Sequence, residues 1–259
     1  MERVAVRAGR TIHRTLNAPM PSAPVTHRQF VATLKELADP AAVAGVARFV
    51  RDDAPSAAKR SKVLGVSPGD VFPVAKRFAA LPLGDVERLL ESQYYEVRLG
   101  AVAIMDFQAR AKRTSSAHRE ALYDLYLRRH DRIDNWDLVD RAAPHVVGGW
   151  LADKPRDVLY ELAQSKSASE RRTAIVATWF FIRADDVDDT FRIAELLVDD
   201  PHDLVQKAVG SWLREAGKRD QPRLVGFLLK HASTMPRTML RYATEKLPPA
   251  TRAKFMKPA

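Results

Sequence analysis

The 259-residue sequence contains no cysteine. Without a thiol there is no disulfide framework, no Cys-ligated zinc or iron–sulfur centre and no thiolate nucleophile, and a reducing cytoplasm is the expected location. No stretch approaches the ~18 uninterrupted apolar residues that a membrane span requires, so no membrane association is expected. Windows of alternating β-branched residues are missing too, which argues against strands. There is no GxxxxGK phosphate loop and no GxSxG elbow. The seven histidines (His13, His27, His118, His130, His145, His202 and His231) show neither HxxxH nor HExxH spacing, so no metal and no other cofactor is expected.

What is present is an ordinary globular balance, 46% hydrophobic and 29% charged, with 42 Lys and Arg against 32 Asp and Glu. That balance predicts a folded, soluble chain. The net charge of +10 favours a polyanion such as nucleic acid, although a solvated basic surface without a specific partner carries the same charge. Residues 1–25 hold Arg3, Arg7, Arg10 and Arg14 against the single acid Glu2, and read as a flexible basic arm. A transit peptide, a phosphate-binding arm and a bland disordered tail all fit this composition.

Residues 26–259 read as one all-α domain. Ser167 followed by Glu170 predicts a capping box, and Asp200 before Pro201, with Asp203 three positions on, predicts an N-cap with proline at the first helical position. The helices are short and must gain their stability by packing on one another. Five segments resemble each other: EVRLGAVAIM from Glu96, NWDLVDRAAPHVV from Asn135, ERRTAIVATWF from Glu170, LVQKAVGSWLRE from Leu204 and RTMLRYATEK from Arg237. Their marker residues Arg98, Asp137, Arg172, Lys207 and Arg241 are separated by 39, 35, 35 and 34 residues. A helix pair with its turns needs about this length, so the pattern predicts a HEAT-like α-α superhelix, a helical-repeat solenoid. If the marked helices line the inner face, Arg98, Arg172, Lys207 and Arg241 project into one concave basic groove, suited to a phosphate backbone or an acidic protein.

Ile133–Asp140, IDNWDLVD, is the most informative segment. Asp134 as N-cap, Asp137 in the first turn and Ile133 with Leu138 as a hydrophobic staple account for part of it as local structure. Trp136 and Asp140 remain, four residues apart and so on one helix face. A core indole beside a solvated or Arg-paired acid would explain them structurally. Functionally, an aromatic plate beside a carboxylate suits a cationic, electron-poor group.

The runs NWDLVD (135–140), RRTAI (171–175), QKAVG with WLREAGKRD (206–220) and RTMLRYATEKL (237–247) resemble the DNA alkylation repair family of the AlkD type, HEAT-like-repeat DNA glycosylases. The resemblance is collinear from about Leu64 to Leu247. It implies a monomeric solenoid that grips double-stranded DNA and releases cationic N3- and N7-alkylated purines by hydrolysing the N-glycosidic bond. It also implies that Asp140 is the catalytic carboxylate, Trp136 the aromatic beside the lesion and Arg172 the basic residue near the lesion's backbone. Arg98, Lys207, Ser211, Trp212 and Arg241 would contribute to DNA binding.

A positively charged purine leaves without a strong acid through an oxocarbenium-like transition state, so one carboxylate suffices. No lysine adjoins NWDLVD to form a Schiff base, which argues against lyase chemistry. One departure stands out: family members generally carry Trp directly after the Gly of QKAxG, where this chain has Ser211, with Trp212 one place later. Moving by one residue turns a side chain by about 100°, so Trp212 reads as core, with Trp179 a possible substitute on the face of Arg172. Two other readings stay open, a non-catalytic lesion sensor and a protein-interaction scaffold.

Overall fold

In the computed structural model, residues 25–51 and 61–256 are described. The basic arm, apart from Val25, lies outside them. They are helical throughout, with one isolated parallel bridge between Lys62 and Tyr94 and no strand. No helix among them is long and apolar enough to cross a membrane. Where the sequence reads as one domain over 26–259, the described residues cluster into two compact units, 25–51 with 61–125, and 126–256.

In the first unit, α1 (His27–Glu36) begins with a capping box. The Thr26 hydroxyl accepts from the Gln29 N–H at 3.3 Å, and the Gln29 side chain accepts from the Thr26 N–H at 2.8 Å. After α2 (Val43–Ala47) come α3 (Pro68–Arg77) and α4 (Leu83–Leu90), which pack on α5 (Tyr95–Arg110). α5 is buried nearly all round and is mostly apolar, with Glu96, Arg98, Asp106 and Gln108 buried among its apolar residues. Gly65 adopts φ +84°, the left-handed region that glycine enters without strain, and a Cβ there would lie 2.1 Å from the Asp39 carbonyl oxygen. The loop it shapes delivers the N–H groups of Leu64, Gly65 and Val66 to the fully buried Glu96 carboxylate at 2.8–3.3 Å.

α6 (Ser116–Arg128) carries the chain into the second unit. There follow a 3₁₀ turn (His130–Arg132), α7 (Trp136–Ala143), which runs into a π-helical turn over Pro144–Gly148, then α8 (Asp157–Ala163), α9 (Ala168–Ala177) and α10 (Trp179–Ile182). The chain continues through α11 (Asp188–Leu196), α12 (Asp203–Gly217), α13 (Gln221–His231), α14 (Arg237–Ala243) and α15 (Pro249–Met256).

The repeat spacing becomes packing in this unit. α7, α9, α12 and α14 begin at 136, 168, 203 and 237, and each packs on the next. α8, α11 and α13 form the companion row, each against a helix of the first row. Small residues set the close approach: Ala142, Ala143, Ala174, Ala177 and Ala208 are buried, and a Cβ on Gly210 would lie 2.5 Å from the Met239 carbonyl oxygen. None of these helices reaches the ~12–15 residues needed to be stable alone except α12, so the row is stable only as a stack.

Helix starts differ in detail from the sequence expectation. At α7 the N-cap is Asn135, not Asp134, although Ile133 and Leu138 are both buried as expected of a staple. At α12 the cap is His202, whose Nδ1 accepts from the Leu204 N–H at 3.3 Å. Asp200 lies three residues before α12 and does not cap it; its carboxylate accepts from the His202 N–H at 2.8 Å and from Arg171, whose Nε and a terminal nitrogen donate to its two oxygens at 2.6 and 3.2 Å. Ser167 does cap α9, but the Glu170 side chain bonds the Ser165 hydroxyl instead of closing a box.

Candidate functional site

The site is built where α7 meets α9. Asn135 is buried just before α7 and donates to the Asp137 carboxylate at 2.5 Å, holding the first turn. Trp136 starts the helix half-buried, and one turn later Asp140 lies on the same face. From α9, Arg172 reaches across. Its Nε and one terminal nitrogen donate to the two Asp140 oxygens, each at 2.8 Å, a fork-to-fork pair. The other terminal nitrogen donates to the Leu204 carbonyl at the start of α12. The guanidinium carbon lies 5.8 Å from the centre of the Trp136 ring, within cation–π range.

Trp136 and Asp140 on α7 and Arg172 on α9 thus meet at one place. Their exposure differs: the Arg172 side chain is 8% exposed and that of Asp140 28%. Arg172 spends donors on Asp140 and Leu204 and is nearly sealed. Asp140 keeps an open side. A carboxylate paired with a guanidinium on one side and open on the other can stabilise positive charge that develops within its reach.

Behind Arg172 is a polar cluster that the sequence reading missed. The neighbouring Thr173 hydroxyl lies 2.9 Å from the Tyr126 hydroxyl and 2.8 Å from His130 Nε2, and all three side chains are buried. Burial pushes the Tyr126 phenol well above its ordinary value, with a smaller push from the Asp140 charge against the pull of Thr173. Burial pushes His130 down, against the nearby charges of Glu170, Asp131 and Asp134. The available signal was a threonine at the head of the buried run Ala174–Ala177.

The remaining expected residues are dispersed. Arg98 belongs to the first unit and is 2% exposed, its terminal nitrogens donating to the Ser92 carbonyl at 3.2 Å and the Ser61 hydroxyl at 2.9 Å. It does not project outward as the groove reading expects, because loop acceptors on either side claim its donors. Lys207 is half-buried and pairs with Asp203 at 3.0 Å. Ser211 follows one turn later and is half-buried. Arg241 is exposed, its guanidinium 5.5 Å from the Tyr242 ring centre. Trp212 is half-buried rather than sealed in the core, and donates its indole N–H to the Val176 carbonyl at 3.1 Å.

Trp179 does not stand in for an aromatic beside Arg172. α9 ends at Ala177, and the Trp179 ring packs edge-on against His145 at 5.7 Å and under Arg183 at 4.9 Å. Among the described residues no group of three or more His, Asp or Glu is arranged to hold a metal ion.

The comparisons agree with this architecture. A family model described as DNA alkylation repair enzyme matches residues 30–247. A solved structure described as a predicted DNA alkylation repair enzyme from Enterococcus faecalis aligns with a TM-score of 0.61 over 82% of this chain and 97% of that one. At 15% identity the likeness speaks for the shared helical-repeat fold alone. No curated protein matches the chain.

Proposed function

The chain belongs to the DNA alkylation repair enzyme family, and from that premise we propose that it is a monofunctional DNA glycosylase, a monomer that releases cationic N3- and N7-alkylated purines from duplex DNA. The observation that carries the reading is the half-open Asp140 carboxylate, gripped by Arg172 on one side with the Trp136 indole nearby.

An alkylated purine carries its positive charge before the bond breaks. The charge left on the deoxyribose as the base departs is oxocarbenium-like, and an anion close to C1′ lowers its energy. Asp140 supplies that anion and accepts a hydrogen bond from the attacking water, while Arg172 fixes its direction. Trp136 faces the electron-poor base or sugar with its π-cloud. The exposed Arg241 and the half-buried Lys207 contact phosphates, Lys207 exchanging its Asp203 partner for the DNA backbone. Exposed ion pairs of this kind cost little to break.

The test is release of free base from duplex DNA carrying 7-methylguanine or 3-methyladenine, with wild type and Asp140→Asn compared. The expected result is release by the wild type and a loss of about 10²–10³-fold in the variant, the magnitude typical for removing a preorganised charge-stabilising group. Binding that weakens with salt but releases no base would mark a lesion-binding protein instead. No salt-dependent binding at all would leave a protein-interaction scaffold.

A further inference from the structure

Three polar side chains from three different elements meet in the interior of the second unit: Tyr126 near the end of α6, His130 in the 3₁₀ turn and Thr173 in α9. Tyr126 and Thr173 are fully buried and His130 is 5% exposed. Stability alone does not call for this. A buried neutral hydrogen bond contributes only about 1 kcal/mol net, and apolar residues of the same shape would serve packing about as well. What hydrogen bonds add is direction, because a hydroxyl held at 2.9 and 2.8 Å from two fixed partners cannot slide or rotate as a methyl can.

The place of this grip matters. Thr173 directly follows Arg172, so fixing its side chain fixes the rotation of α9 at the residue that holds Asp140. The other two partners lie on the segment that runs from α6 through the 3₁₀ turn into Trp136, the first residue of α7. One buried hydroxyl therefore ties the helix that carries Arg172 to the approach of the helix that carries Trp136 and Asp140. We infer that Thr173, gripped by Tyr126 and His130, is a positioning residue that sets the Arg172 guanidinium, and through it the Asp140 carboxylate, for base release. The inference rests on the glycosylase reading of the site and adds to it residues that touch neither DNA nor the reacting atoms.

The experiment uses the full chain with Thr173→Val, which keeps the shape and removes the hydroxyl, and Thr173→Ser, which restores the hydroxyl. Two quantities are measured for each: the single-turnover rate of 7-methylguanine release from saturating duplex DNA, and the exchange rate of the Arg172 Nε–H with solvent by NMR. Thr173→Val is expected to slow release by about 100-fold, the usual cost of misplacing a catalytic group by ~1 Å, with duplex affinity unchanged. Its Arg172 Nε–H is expected to exchange about tenfold faster as the pair with Asp140 opens more often. Thr173→Ser is expected to recover most of both.

A folded Thr173→Val protein with a lowered Tm but wild-type release and wild-type Nε–H exchange overturns the inference and leaves the cluster as packing. If that variant does not fold, Tyr126→Phe, which deletes one hydroxyl and keeps the ring, is read the same way. If the wild type releases no base, the glycosylase reading fails, while the Nε–H exchange still decides whether Thr173 positions Arg172.

Discussion

Glu96 in the first unit and Asp140 in the second both lie in helices that carry the repeat markers, yet they are used in opposite ways. Glu96 is sealed, and its oxygens are consumed by three backbone N–H groups of one loop. Asp140 is 28% exposed, and the Arg172 guanidinium grips it from one side. The neighbouring cations follow suit, since Arg98 is drawn into loop acceptors while Arg172 is aimed at the acid. An acid that closes a loop is surrounded by donors. An acid that can meet a substrate is held from behind and left open in front.

Breaking the two acids should therefore give opposite signatures. Glu96→Ala strands three backbone N–H donors, two of them buried, and is expected to cost about 3–5 kcal/mol of stability, read as a shift in the urea midpoint. Asp140→Asn keeps the shape and an acceptor for Arg172. It is expected to cost far less stability than Glu96→Ala while removing most base release. If Asp140→Asn proves the more damaging to folding, the contrast between the acids is wrong and the α7–α9 pair is structural.

A smaller effect comes from His130. Its folded-state pKa is lowered by burial from an unfolded value of ~6.5. Below that value the unfolded chain binds the proton more readily than the folded one, so the stability due to neutral His130 is complete above pH ~6.5 and declines as the pH falls through the window below it. Tyr126 and Thr173 face it as neutral partners, while Glu170, Asp131 and Asp134 favour its protonation and narrow the window. Melting temperatures taken from pH 7 to pH 5 should fall more steeply for wild type than for His130→Gln. Parallel curves would show that His130 does not titrate in this range.

The repeat was legible because its signal is local. Each first-row helix needs small residues where it meets the next, and alanines and valines at that period are visible in a linear chain. Trp136 and Asp140 were legible as one face of one helix. Contacts between distant segments were not. Thr173 meets Tyr126 and His130 across 47 and 43 residues, and nothing near Arg98 announces that Ser61 would bind it. Asp200 shows the same limit: its sequence position suits a helix start, but its carboxylate also meets Arg171, 29 residues away.

The smallest expected effect concerns the neighbouring residues Ser211 and Trp212. Trp212 is committed to the α9 carbonyl of Val176, so Trp212→Phe should cost about 1–2 kcal/mol of stability and change base release by less than about threefold. Ser211 points about 100° away on the same helix, half-buried in line with Lys207. An indole placed there by Ser211→Trp extends the face that carries Lys207 and leaves the core stripe of α12 untouched, so excision should not fall. A large loss in that variant would mean that the Ser211 side of α12 is packed against protein rather than turned towards DNA. The open side of Asp140 would then have to be approached from another direction.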